Sequence, residues 1–251
     1  MRLAIFAFVA ATASAQWLNY PTPGIPRTAD GKLNLSAPAP KTSGGTLDLS
    51  GVWTADTGNR QELNADPGIF ARPSGGPLQP WAAALDQQHR EMLLKDDPSA
   101  RCLPMGPPRM DRRGPHKIVQ LPGLIVILYE ENTFFRQIFL DGRMLPTDPN
   151  PTWMGYSVGH WEGDTLVVDT TGFNDDVWIW SGHPHTPALR TVERFRRRDF
   201  GHMDLGITID DPHAYTKPWT LTFDLLLMPD SDLLESICNE NNTNAPHLVG
   251  K

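Results

Sequence analysis

The side chains best suited to chemistry are two histidines two residues apart, His183 and His185 in Gly182-His183-Pro184-His185-Thr186. In an extended segment, residues i and i+2 point to one side. The two imidazoles could then share a metal ion, or one could orient the other for proton transfer. A metal would need a third ligand, for which Glu193, His160 and His202 are candidates. The competing reading is a pair of loop histidines making surface hydrogen bonds. Glu193 shares a strand face with Thr191 and Phe195. An aromatic neighbour would desolvate its carboxyl, raise its pKa and suit it to general acid or base work; a cross-strand ion pair with an arginine would make it structural instead. His160 alternates with Tyr156 and Val158 on one face. Turned inward it could hydrogen-bond a ligand or act as a base; otherwise it is a satisfied strand-end histidine.

A second set of residues suits ligand binding. Arg136, near Tyr129 and Glu130, could hold a carboxylate through two parallel hydrogen bonds, or pair with Glu130 or Glu131. Among eight tryptophans, Trp161, Trp178 and Trp180 could line a mouth and stack on rings or sugars, or simply fill a core. Asn174-Asp175-Asp176 lacks an EF-hand pattern and reads as turn chemistry. There is no Gly-x-Ser-x-Gly elbow, Walker A loop, dinucleotide fingerprint, His-Glu-x-x-His helix or haem-attachment motif, so no cofactor is named. A net charge of −7 opposes nucleic-acid binding, and the run Arg194, Arg196, Arg197, Arg198 reads as a solvated strand edge.

The elements that must position these residues are mainly strands. Residues 47–54 read as a first strand. Pro80 to Lys95 is the one good helix, with proline in its first turn. Its apparent apolar stripe is Trp81, Ala84, Leu85, Gln88 and Met92, with Asp86, Arg90 and Glu91 facing away. Beyond residue 116 a two-residue rhythm takes over: hairpins at 118–129, 155–171 and 189–209, a strand at 133–140 closed by Asp141-Gly142, and a last strand from Trp219. Eight or nine strands on short links suggest an antiparallel up-and-down barrel with one helix, with a β-sandwich as the alternative. A barrel of this size can just hold one small ligand.

The chain has 251 residues. Residues 1–15 carry one positive charge, a short apolar run and an Ala-Ser-Ala cleavage pattern, which reads as a secretory signal. Residues 16–46, rich in Pro, Gly and Ser, read as an extended arm, and 47–251 as a single domain. No later apolar run is long enough to span a bilayer. An exported chain with only two cysteines, Cys102 and Cys238, is expected to pair them.

Two resemblances enter here. Gly51-Val52-Trp53 resembles the Gly-x-Trp start of lipocalin-type barrels over three residues. Longer strings resemble a family of exported bacterial proteins to which no reaction is attached: residues 155–168, Gly182-His183-Pro184-His185-Thr186, Glu193-Arg194-Phe195-Arg196-Arg197, Thr208 to Pro212 with Tyr215 to Trp219, and Cys238-Asn239-Glu240-Asn241. That likeness covers most of 47–251 and implies export. From the residues, the expectation is a barrel that binds a small apolar or aromatic molecule. The alternative is an enzyme of the same fold, either a lyase, isomerase or hydratase using His and Glu, or a metal-assisted hydrolase.

Overall fold

The computed structural model describes residues 21–56, 76–180 and 182–240. The expected signal segment, and the start of the arm, lie outside them. Nine strands close into one barrel in chain order: β1 (Gly51–Ala55), β2 (His116–Leu121), β3 (Leu124–Tyr129), β4 (Phe135–Phe139), β5 (Tyr156–Glu162), β6 (Thr165–Thr171), β7 (Arg190–Arg197), β8 (His202–Asp210) and β9 (Trp219–Leu227). β1 pairs antiparallel with β9 through Trp53 and Leu227, so no edge is left open. The closure rules out the sandwich.

The up-and-down expectation needs one correction. β4 and β5 run parallel, with Ile138 opposite Ser157 and Phe139 opposite Val158. The link between them, from Leu140 to Gly155, is too long for a hairpin and carries the chain back along the barrel. Parity requires such a step. Around a closed ring the direction reversals must be even in number, so an odd-stranded barrel needs at least one parallel pair.

The registers define two ends. One carries the start of β1, the β2–β3, β5–β6 and β7–β8 turns, and the end of β9. Here Arg197 packs 4.9 Å over the Trp53 ring and donates to the carbonyls of Asp48, Asp199 and Phe200, pinning the lead-in to β1 under the barrel. The arm crosses the same end, with Gly201 and Phe200 donating to Leu35 and Ala37.

The opposite end is plugged. A short helix α2 (Arg109–Arg112) brings Met110 and Asp111 inward, and the segment from Val177 to Trp180 supplies buried Val177 and Ile179. Trp180 stacks on Phe223 of β9 at 6.4 Å beneath Arg112. Side chains facing the axis, among them Ile138, Val168, Glu193 and Ile207, have zero exposure, which leaves no water-sized void against them. The enclosed guest space expected from the strand rhythm is, around these residues, filled by protein.

Helix α1 (Pro80–Glu91) lies outside this plugged end, shorter than the sequence suggests. It docks on the 211–216 turn: Gln79 N–H donates to Ala214, Trp81 Nε1–H to His213, and Thr216 N–H to Pro77. Its buried residues are Ala82 and Asp86, while Trp81 and Met92 are exposed, so the face turned to the protein is not the apolar stripe. Cys102 and Cys238 are joined, tying the loop after α1 to the last described segment. No described helix is long and apolar enough to cross a membrane.

Candidate functional site

Three of the singled-out residues meet inside the plugged end. Alternation along β3, β4 and β7 turns Tyr129, Arg136 and Glu193 inward, all at 2 % exposure or less. Arg136 grips Glu193 with two parallel hydrogen bonds, one of 2.9 Å from Nη1 to Oε1 and the other from Nη2 to Oε2. Its remaining donors reach Ser157 Oγ at 3.1 Å and Thr170 Oγ1 at 2.8 Å. Tyr129 donates its hydroxyl to Asp111 Oδ1 at 2.7 Å, and Asp111 Oδ2 stands 4.0 Å from Arg136. The structural reading of Glu193 as an ion-pair partner therefore prevails in geometry, and Arg136 is already occupied. Two carboxyls here face one guanidinium. Burial pushes the Asp111 and Glu193 carboxyls up, and the Arg136 charge offsets only part of that. Nearby, His116 is wholly buried with neither ring nitrogen bonded, and burial pushes it down to about 4, so it stays neutral.

His183 lies apart from this network, in a cleft of about 480 Å³ lined by Gly76, Leu78, Ala83, Asp86, Gln87, Arg90 and His183. Its ring is fully buried, and Nδ1 stands 3.1 Å from Asp86 Oδ1, a contact bent away from ideal hydrogen-bond geometry. Arg90, one turn along α1, reaches the same carboxylate at 3.0 and 3.2 Å. Burial alone would raise Asp86; contacts from His183 and Arg90 outweigh it and hold the carboxyl well below its ordinary range. Asp86 is thus a fixed anion. Neither ring nitrogen of His183 makes a hydrogen bond within the described part of the protein.

The loop is held in place by its neighbours. Tyr215 donates its hydroxyl to the Pro184 carbonyl at 3.0 Å, and Asp211 accepts from the Thr186 N–H and hydroxyl. Gly182 has φ +90°, and a Cβ there would fall 2.6 Å from Asp86 Oδ1, so glycine is what lets the loop approach α1. The Gly182 carbonyl faces His89 Nδ1 at 2.9 Å, and the His89 ring stacks on Trp178 at 4.2 Å.

The other expected residues are placed differently. His185 turns Nδ1 to the Thr186 carbonyl at 2.8 Å and Nε2 to the Asn174 carbonyl at 3.1 Å, which leaves neither nitrogen turned toward a metal. Among the described residues no group of three or more His, Cys, Asp or Glu side chains could hold a metal ion. His160 is exposed and faces Glu162 at 3.3 Å, while its neighbour Trp161 packs toward the core. The inward position in β5 belongs to Ser157, which Arg136 requires, and that parity turns His160 outward. Trp178 and Trp180 are packing residues of the plug rim, buried to 8 % and 5 % exposure.

Sequence reasoning missed Asp86 and Asp111. Asp86 shows as an i, i+4 pair with Arg90 on a helix whose apolar face is sparse, and that pairing is the one signal that could have found it. Asp111 sits in a Pro- and Arg-rich stretch with no periodicity to mark it. Comparison with family models, curated proteins and solved structures returns no match to this chain.

Proposed function

We propose that this chain binds a small, largely apolar molecule at the plugged end of its barrel, in the cleft between α1 and the 177–186 loop. One observation carries the reading: a buried imidazole, His183, borders that cleft 3.1 Å from the ionised Asp86 carboxylate, with neither ring nitrogen hydrogen-bonded. A buried polar atom left without a partner costs on the order of 1–3 kcal/mol, a cost that a bound polar group would remove. Leu78 and Ala83 supply apolar wall. The barrel acts as a rigid base: it fixes Trp219 and, through the 211–216 turn, α1. The reading includes export, because the paired cysteines and the N-terminal apolar run both suit an oxidising compartment.

The same imidazole–carboxylate pairing favours a second reading, proton transfer on the bound molecule with His183 as base and Asp86 as the group that orients it. A lyase, isomerase or hydratase would use such a base. Glu193 takes no part in this reading, since Arg136 holds it in packed interior.

Crystals soaked with a panel of aromatic fragments test the site. Density in the α1 cleft is the expected result. Fragments confined to a different cleft, such as the one of about 460 Å³ between the arm and the β9 end lined by Ile25, Val52, Phe200 and Leu227, would refute it.

A further inference from the structure

The outer surface of the barrel is uneven. On β7, β8 and β9 the outward positions are largely charged or polar, among them Arg194, Arg196, Asp204 and Thr222. On β2, β3 and β4 they are largely apolar. The register sets Leu124 opposite Phe139, Val126 opposite Gln137 and Leu128 opposite Phe135 on that outer face, while Ile125, Ile127 and Ile138 point into the core. β2 extends the patch with Val119 and Leu121. Phe135 is 56 % exposed, and Leu121 and Leu128 are exposed as well. Strand β3 is apolar on both faces, the pattern of a strand covered on both, yet its outer face meets solvent at Leu128. An apolar patch spread over three neighbouring strands marks an interaction surface.

The charges at its corners are neutralised. Lys117 bonds Asp232 at 2.7 Å, and Arg143, at the opposite corner, lies 3.6 Å over Phe139 and bonds Asp141 at 2.5 Å. A net charge of −7 opposes an anionic lipid surface. What the face matches is itself. Gln137, at the middle of β4, carries an amide that both donates and accepts, so two copies can exchange a pair of hydrogen bonds there. A two-fold axis lying in the interface and crossing the strands at Val126 and Gln137 sets Leu124 against Leu128 of the second copy, and Phe135 against Phe139. Apolar groups then meet apolar groups, and the central polar group meets its own complement. The footprint is small: three strands of five or six residues span roughly 14 Å by 18 Å, on the order of 250 Å². That is below the about 800 Å² per partner of a standard interface, so the pairing is weak and reversible.

We propose that the outer face of β2, β3 and β4 joins two copies of this chain in a reversible two-fold dimer, with Gln137 paired to Gln137 on the axis. None of its residues lines the α1 cleft, so each copy keeps that site. Two copies of like net charge repel, so added salt tightens the dimer rather than loosening it.

Sedimentation velocity on the full chain, with methyl NMR on the same samples, tests this. Monomer at about 5 µM and dimer at about 0.5 mM are expected, with the Leu124, Val126 and Leu128 methyl signals moving as the protein is concentrated. Raising salt from about 0.05 M to about 0.5 M should favour the dimer. Gln137→Glu sets two carboxylates face to face on the axis and should weaken association at least about tenfold. Phe135→Lys should abolish it, whereas Leu93→Lys, at an exposed position after α1, should leave it unchanged. The concentration series on the unaltered chain needs no variant. A monomer at every concentration overturns the proposal. So does a dimer that survives Gln137→Glu or Phe135→Lys, because its contacts then lie elsewhere. Methyl signals that move only on adding vesicles of phosphatidylcholine and phosphatidylserine overturn it too, because the face then serves a membrane.

Discussion

Replacing Arg136 with methionine should cost about 3–5 kcal/mol of folding stability, as expected when one partner of a buried ion pair is removed. The guanidinium is within hydrogen-bond reach of Glu193, Ser157 and Thr170 and is the cation nearest Asp111, all inside a packed barrel. Methionine fills similar space but leaves two buried carboxyls without a positive neighbour. Asp111→Asn should behave oppositely and cost less than about 1 kcal/mol. Its amide oxygen still accepts from Tyr129, and its NH₂ can take the place of the proton that one carboxyl offers the other. The pH dependence follows from the same cluster. Asp111 and Glu193 are raised above their unfolded values, so their contribution is fully present below about pH 4 and is lost as pH rises through the folded values. Asp111→Asn removes one of the two and should flatten that alkaline loss. Urea unfolding followed by tryptophan fluorescence, with the disulfide intact, at pH 5, 7 and 9 measures both effects. An Arg136→Met cost under about 1 kcal/mol, or an equal cost for the two variants, would refute the account of a cluster with one positive charge and two carboxyls.

Three further outcomes are expected. Asp86 is lowered, so its stabilisation is present above the unfolded carboxylate value and lost as pH falls through the folded one; Asp86→Asn should flatten the acid limb of the stability profile below about pH 4 in acid titrations. Leu93 is 87 % exposed with φ 54°, so Leu93→Gly should raise stability by about 1 kcal/mol in thermal or urea melts, since little packing is lost and the left-handed cost is relieved. Replacing both Cys102 and Cys238 with serine should lower stability by about 2–5 kcal/mol, and thiol titration of the denatured, unreduced protein should find no free thiol.

The strands were legible because each buries one face, and that writes a two-residue rhythm into β2, β3 and β6 through β9. The parallel β4–β5 step was not, because Leu140–Gly155 lies along the barrel and carries no period of its own. In α1 the apolar stripe pointed to the wrong face: what the helix buries is a charge, Asp86, whose desolvation is offset by His183 and Arg90 from outside any hydrophobic pattern. The same limit hid the site. His183 stood out by residue type, but its partner is about a hundred residues away in sequence and becomes visible only once the 211–216 turn has docked α1. In β5 the parity was read from Tyr156 and Val158, although the inward positions are a serine needed by Arg136 and a tryptophan.

The claim that ligand binding occurs beside α1 meets its most direct test in native mass spectrometry of the protein as purified, compared with Ala83→Trp. Ala83 is an exposed helix residue on the cleft wall, so tryptophan there fills the cleft without disturbing the core. The unaltered protein should carry a bound small molecule that the variant lacks. Equal occupancy in both, or no added mass in either, would contradict it.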